Sequence, residues 1–169
     1  SILGGTVTKT TGSVNVWGFN LDQNPRQVKA SIGIVPQEVN LDAFFSPHKL
    51  LELQAGLYGI KKKDRITDLI LKMVALEDKA NAYSRSLSGG MKRRLLIAKA
   101  MVHQPPILIL DEPTAVLTPQ ETNDLFATLR LATSSGLSII FISHKLHEVM
   151  AIADRVCVLR HGKKIGEEW

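Results

Sequence analysis

The sequence predicts an α/β protein with a parallel sheet flanked by helices. An uninterrupted apolar run, Ile107–Leu110, has the length of a strand and the composition of one covered on both faces. A similar run at Ser138–Ile142 predicts a second buried strand, with a helical segment between the two. Buried strands that alternate with helices are typical of parallel sheets.

Smaller elements are predicted before this core. Residues 10–12 form a turn, and Ser13–Trp17 alternates in a strand-like way before Gly18. Pro25–Ser31 predicts one or two helical turns, and Ile32–Pro36 a strand. From residue 46 to 86 the period is helical, beginning at Ser46-Pro47.

A short stretch around residue 88 has the features of an anion-binding helix start. Ser88 can cap a helix, and Gly89 and Gly90 leave backbone N–H groups uncovered. Such a start carries partial positive charge and suits phosphate above all. Apolar residues then recur at helical spacing up to the stop at Pro105-Pro106. Three basic residues lie off this apolar stripe: Lys92, Arg93 and Lys99.

Two acids, Asp111 and Glu112, directly follow the strand Ile107–Leu110. They lie at the carboxyl end of a strand, where open α/β sheets bind ligands. Taken singly, these features are common, because Ser-Gly-Gly is usually a loop and an acid after a strand is often a solvated turn. Their arrangement in one stretch is far more specific.

The stretch LSGGMKRRLLIAKAMVHQPPILILDEPT resembles the signature and Walker B motifs of ATP-binding-cassette (ABC) ATPases, with Met91 where glutamine is commonest. The resemblance implies a P-loop NTPase-like sheet, a small N-terminal β-hairpin and a helical subdomain over about residues 46–103 of a single domain, 1–169. It also implies ATP and Mg²⁺ as cofactors. The roles it implies are γ-phosphate contact in trans for Ser88, Gly89 and Gly90, Mg²⁺ binding for Asp111, and polarisation of the attacking water for Glu112.

Two further residues acquire roles from the same resemblance. Gln37, in IGIVPQEVNLD, matches the Q-loop glutamine, which reaches Mg²⁺ and the attacking water and senses the transmembrane partner. His144 follows the strand Ser138–Ile142 and matches the switch histidine, which contacts the γ-phosphate and helps to hold the water. Outside this context, Gln37 would be expected to be solvated and His144 to be a cap or a surface group. The ending ADRVCVLRHGKKIG also matches the family, with strands at Arg155–Leu159 and Lys163–Gly166.

Composition limits the function classes. The 169 residues are 44% hydrophobic and 22% charged, which suits one globular domain, and neither a membrane-spanning run nor a signal peptide is predicted. A net charge of +5 is mild, and the lysines at 61–63 lack interleaved aromatic residues, so nucleic-acid binding is not expected. We expect Cys157 to be a buried small hydrophobe, and we expect a reducing compartment. The family resemblance implies the inner face of a membrane.

Two departures from the family matter. The sequence contains no G-x-x-x-x-G-K-[ST] motif, and alignment on the hairpin predicts that the chain begins within the helix that follows this phosphate-binding loop. We therefore expect the chain alone to be inactive, since nothing would cradle the α- and β-phosphates. In addition, the part before Thr114 resembles exporter ATPases, whereas the part after it resembles sugar and nucleoside importers. This predicts a chimera, the alternative being an unusual natural sequence.

The resemblance implies ATP hydrolysis coupled to transmembrane subunits, with a second ATPase subunit completing each nucleotide site. A different hypothesis is a folded fragment that acts only as a structural or binding module. A third, a soluble ABC ATPase without a transporter, lacks support because no second cassette or coiled-coil insertion is present. Without the strand before the phosphate loop, Arg155–Leu159 would either pair directly with Ser138–Ile142 or leave edges that form a homodimer. The homodimer is slightly favoured.

Overall fold

The computed structural model describes residues 9–168, apart from the side chain of Glu168. The predicted beginning of the chain inside a helix falls on residues outside this range. The α-helices and strands, in chain order, are β1 (Asn15–Val16), β2 (Phe19–Asn20), α1 (Pro25–Ala30), β3 (Ile32–Val35), α2 (Pro47–Leu57), α3 (Thr67–Met73), α4 (Gly89–Met101), β4 (Ile107–Asp111), α5 (Pro119–Ser134), β5 (Ser138–Ile142), α6 (Leu146–Ile152), β6 (Val156–Arg160) and β7 (Lys163–Glu168).

Three parallel strands form the central sheet in the order β3-β4-β5. Val35 is the register partner of Leu110, and Asp111 is the partner of Ile142. The strands run in the same direction, so their carboxyl ends lie at one edge of the sheet. β1 and β2 form a separate antiparallel hairpin. The predicted α/β class, with its parallel sheet and small hairpin, is confirmed.

The core lies between the sheet and the helices, and α4 is its most enclosed helix. Leu95, Ile97 and Ala98 of α4 are fully buried, as are Leu108 and Leu110 of β4. Burying a side chain of Leu or Ile size contributes about 1.5–3 kcal/mol. The helices α2, α3 and α4 lie in the stretch expected to be a helical subdomain, whose boundaries remain a prediction.

Helix α2 is capped locally and tied to α3. The Ser46 Oγ accepts a hydrogen bond from the Lys49 N–H at 3.3 Å, as the Ser-Pro start predicts. The Arg65 Nη1 lies 2.6 Å from the Glu52 carboxylate, which also accepts a hydrogen bond from the Thr67 hydroxyl. These bonds lower the pKa of Glu52, with the Thr67 contact the largest cause.

The burial predicted for β5 and one of the two pairings considered for Arg155–Leu159 differ from the structure. β5 is not a buried strand, because Ile140 and Ile142 are 48% and 47% exposed. Among residues 9–168, β5 pairs with β4 alone, and β6 pairs with β7 rather than with β5. Direct pairing of Arg155–Leu159 with β5 is therefore not formed.

The prediction that Cys157 is buried is wrong, because its side chain is exposed. Within residues 9–168 most of β6 is exposed, so an apolar sequence is left at the surface. Within the described part of the chain, no helix combines the length and the apolarity needed to cross a bilayer.

Candidate functional site

The carboxyl edge of the sheet gathers the predicted strand-end residues. Asp111 is the last residue of β4, and Glu112 follows it. Gln37 lies two residues beyond β3, and His144 two residues beyond β5. Adjacent strands in register bring these positions to the same edge, as the sequence predicted.

Glu112 and His144 form a contact pair. The His144 Nδ1 lies 2.7 Å from the Glu112 Oε1, with the histidine side chain 76% exposed and the glutamate 18% exposed. The Glu112 N–H donates to the Ile142 carbonyl at 3.0 Å, and its φ of 44° lies in the left-handed region that non-glycine residues seldom adopt. The second oxygen, Oε2, is buried without a hydrogen-bond partner among the described residues. The carboxylate is thus oriented through Oε1, which contacts His144, while Oε2 is shielded from solvent.

A buried cluster joins the segments that carry these two residues. The Thr114 hydroxyl donates to the buried carboxylate of Glu148. The Lys145 Nζ lies 3.0 Å from Glu148 Oε1 and donates to the Thr114 carbonyl at 3.1 Å. Sequence reasoning missed this cluster, although Lys145 and Glu148 have the i, i+3 spacing of a helical ion pair.

The backbone before and at Gln37 is held by an arginine of α4. The Arg93 Nη1 and Nη2 donate to the Pro36 and Gln37 carbonyls, each at 2.6 Å. Arg93 is only 1% exposed, and burial lowers the pKa of its guanidinium. The Gln37 residue itself is exposed. The helical pattern placed Arg93 off the apolar stripe, but the structure buries it against this loop.

The start of α4 is capped as predicted, and it already holds a carboxylate. The Ser88 Oγ accepts from the Met91 N–H at 3.2 Å. It also donates to the Glu121 Oε1 at 3.0 Å, and the Gly90 N–H donates to the same oxygen at 2.8 Å. The hydrogen bond from Gly90, followed by that from the Thr118 N–H, lowers the pKa of Glu121. These described hydrogen bonds of Ser88 and Gly90 therefore go to α4 and α5, and not to the strand-end residues.

The strand-end oxygens suit Mg²⁺ in chemical type. A carboxylate from Asp111 and an amide oxygen from Gln37 are hard ligands of the kind that Mg²⁺ prefers. Among residues 9–168, no group of three or more His, Cys, Asp or Glu side chains could hold a metal ion. Mg²⁺ commonly uses one or two carboxylates together with substrate phosphates and water, so this donor set fits an ion that arrives with a nucleotide.

The family model described as ABC transporter matches residues 1–115. The chain is 37% identical over 168 residues to the Nod factor export ATP-binding protein I of Rhizobium sp. (strain N33), covering 98% of this chain and 55% of that protein. It is 33% identical over 168 residues to the linearmycin resistance ATP-binding protein LnrL of Bacillus subtilis (strain 168), covering 98% and 54%. The chain thus spans about half the length of these curated relatives.

A solved structure described as the ATP binding subunit of an ABC transporter superposes with a TM-score of 0.79 at 22% identity, covering 98% of this chain and 70% of that one. At this identity the likeness shows the fold alone. The family match ends close to Thr114, whereas the two relatives match on both sides of it, and the chimera remains a prediction. The signature and Walker B motifs, the sheet that carries them and the match over residues 1–115 agree, and the chain belongs to the ABC transporter family as an ATP-binding domain.

Proposed function

We propose that this chain is part of the ATP-hydrolysing subunit of a membrane transporter. The observation that carries the proposal is the Glu112–His144 pair at the carboxyl edge of the sheet, in which the His144 Nδ1 lies 2.7 Å from the Glu112 Oε1. Phosphoryl transfer depends mainly on positioning and charge stabilisation. A fixed carboxylate beside an exposed imidazole suits the orientation of an attacking water.

Each site residue then has a distinct task. Glu112 accepts a hydrogen bond from the water, and His144 holds the water and the γ-phosphate. Asp111 and Gln37 would hold Mg²⁺, which neutralises charge on the phosphates when it is bound. Ser88, Gly89 and Gly90 would contact the γ-phosphate of ATP held by a second subunit.

The proposed transport direction is export. Two relatives carry names of export and resistance proteins, and the similarity to each covers 98% of this chain. In this scheme the chain works at the cytoplasmic face of a membrane, against transmembrane subunits that Gln37 senses. The alternative, a non-catalytic folded module, remains a prediction of the sequence.

The experiment that tests the function supplies the phosphate loop on another subunit. We expect this chain to restore Mg²⁺-dependent ATP hydrolysis when mixed with an ABC ATPase whose phosphate loop is intact and whose signature is disabled. Ser88→Arg should abolish the rescue, because a bulky cation replaces the cap and hydroxyl donor at the start of α4. The chain alone, expected to give no turnover, is the blank. Rescue that survives Ser88→Arg would show that the signature is not responsible.

We also propose that the open edge of β5 pairs with a second copy of this chain. Among residues 9–168 no strand pairs with this edge, so its N–H and C=O groups lack a described strand partner, and Ile140 and Ile142 of β5 are almost half exposed. We expect light scattering at micromolar concentration to give a dimer, and Ile140→Lys to shift it towards monomer.

The matched control for this dimer is Leu57→Lys, which places the same charge on an exposed leucine of α2. It should leave the oligomeric state unchanged. A wild-type monomer with cooperative unfolding, or equal effects of the two lysine variants, would contradict pairing through this edge.

A further inference from the structure

The carboxylate of Glu121 accepts hydrogen bonds from two donors at the start of α4. Its Oε1 accepts from the Gly90 N–H at 2.8 Å and from the Ser88 hydroxyl at 3.0 Å. Its Oε2 accepts from the Thr118 N–H at 3.2 Å, which completes the capping box of α5. One side chain therefore ties the first turn of α4 to the first turn of α5.

Steric fit supports a specific contact rather than a chance approach. A Cβ atom placed on Gly90 would lie 2.8 Å from the Glu121 Cγ and 2.9 Å from its Cβ, closer than such atoms approach. Glycine at position 90 is thus what allows the glutamate to reach the helix start. Its hydrogen bonds lower the pKa of Glu121, so the group at this helix start is an anion at neutral pH.

We propose that the Glu121 carboxylate occupies the hydrogen-bond donors of Ser88 and Gly90, and that it has to move away before these donors can bind a phosphate. The proposal rests on the function proposed for Ser88, Gly89 and Gly90 and names the side chain that regulates them. Two anions cannot share the same N–H and O–H donors, because like charges at hydrogen-bond distance repel. Movement of this carboxylate also breaks its hydrogen bond with the Thr118 N–H. The freeing of the start of α4 is thereby coupled to the segment between β4 and α5.

Titration of inorganic phosphate, followed by NMR at the Gly89 and Gly90 amides, tests the proposal. Glu121→Gln removes the competing charge and keeps an oxygen acceptor for the capping box. We expect it to bind phosphate at least about tenfold more tightly than wild type at low ionic strength, because one opposing unit charge at this distance shifts an equilibrium by that order. Thermal unfolding of each variant establishes that the fold is retained.

Asp124→Asn is the matched control. It removes one negative charge from the same helix, where the Asp124 carboxylate accepts from the Gln120 amide and, among the described hydrogen bonds, none joins it to the start of α4. We expect its phosphate affinity to remain within about twofold of wild type, because an exposed charge is strongly screened.

Equal affinities of Glu121→Gln and Asp124→Asn would overturn the proposal, as would tight phosphate binding by wild type with the Gly90–Glu121 contact retained. Absence of phosphate binding in all three proteins would also overturn it. That result would leave the proposed function standing, since rescue of hydrolysis in the mixed assay decides that question separately.

Discussion

Replacing Arg93 by alanine is expected to lower the free energy of unfolding by about 3 kcal/mol. The variant loses two charged hydrogen bonds to the Pro36 and Gln37 carbonyls and leaves a cavity beside α4. Each such bond is worth about 1.5–3 kcal/mol. Removal of a guanidinium that is only 1% exposed also recovers its desolvation cost, so the expected loss is smaller than the sum.

Urea denaturation of the wild type and the variant measures this loss. Amide hydrogen exchange should also rise in residues 36–40 well before the protein unfolds globally, because the arginine holds this backbone directly. The free energy of unfolding of Arg93→Lys should lie between those of the wild type and Arg93→Ala, since one ammonium group cannot bind both carbonyls in the forked geometry of a guanidinium. Lys92→Ala, on the same helix, is the control and should change stability by no more than about 0.5 kcal/mol. Equal losses in Arg93→Ala and Lys92→Ala would contradict the anchoring role.

Replacing Glu148 by alanine is expected to lower the free energy of unfolding by about 3 kcal/mol, the lower end of the range for breaking a buried ion pair. The Thr114 hydroxyl is fully buried and loses its acceptor. The Lys145 side chain is 28% exposed and can turn towards water, which limits the loss.

The same variant should disturb the candidate site, because Thr114 follows Glu112 closely and Lys145 follows His144 directly. The ring resonances of His144 are expected to shift in the NMR spectrum as the two segments come apart. Met150→Ala removes an exposed side chain from the same helix and serves as the control. If Glu148→Ala matched this control in both stability and His144 resonances, the cluster would have no part in holding the pair.

Local rules fixed much of what the sequence predicts correctly. A serine before two glycines caps α4, and a serine before proline caps α2, because such caps depend on residues within one turn of each other. The acids after β4 and the histidine after β5 reach one edge because parallel strands in register align their carboxyl ends.

The tertiary structure decided the hydrogen-bond partners of three polar side chains that the sequence pattern could not assign. Arg93 reaches carbonyls 56 and 57 residues away, Glu121 reaches an amide 31 residues away, and Glu148 reaches a hydroxyl 34 residues away. Periodicity can assign a residue to one side of its own helix, but it carries no information about which distant backbone or side chain covers that side. The exposure of Cys157 has the same origin, since burial of an apolar strand depends on the layers that pack against it and not on its own composition.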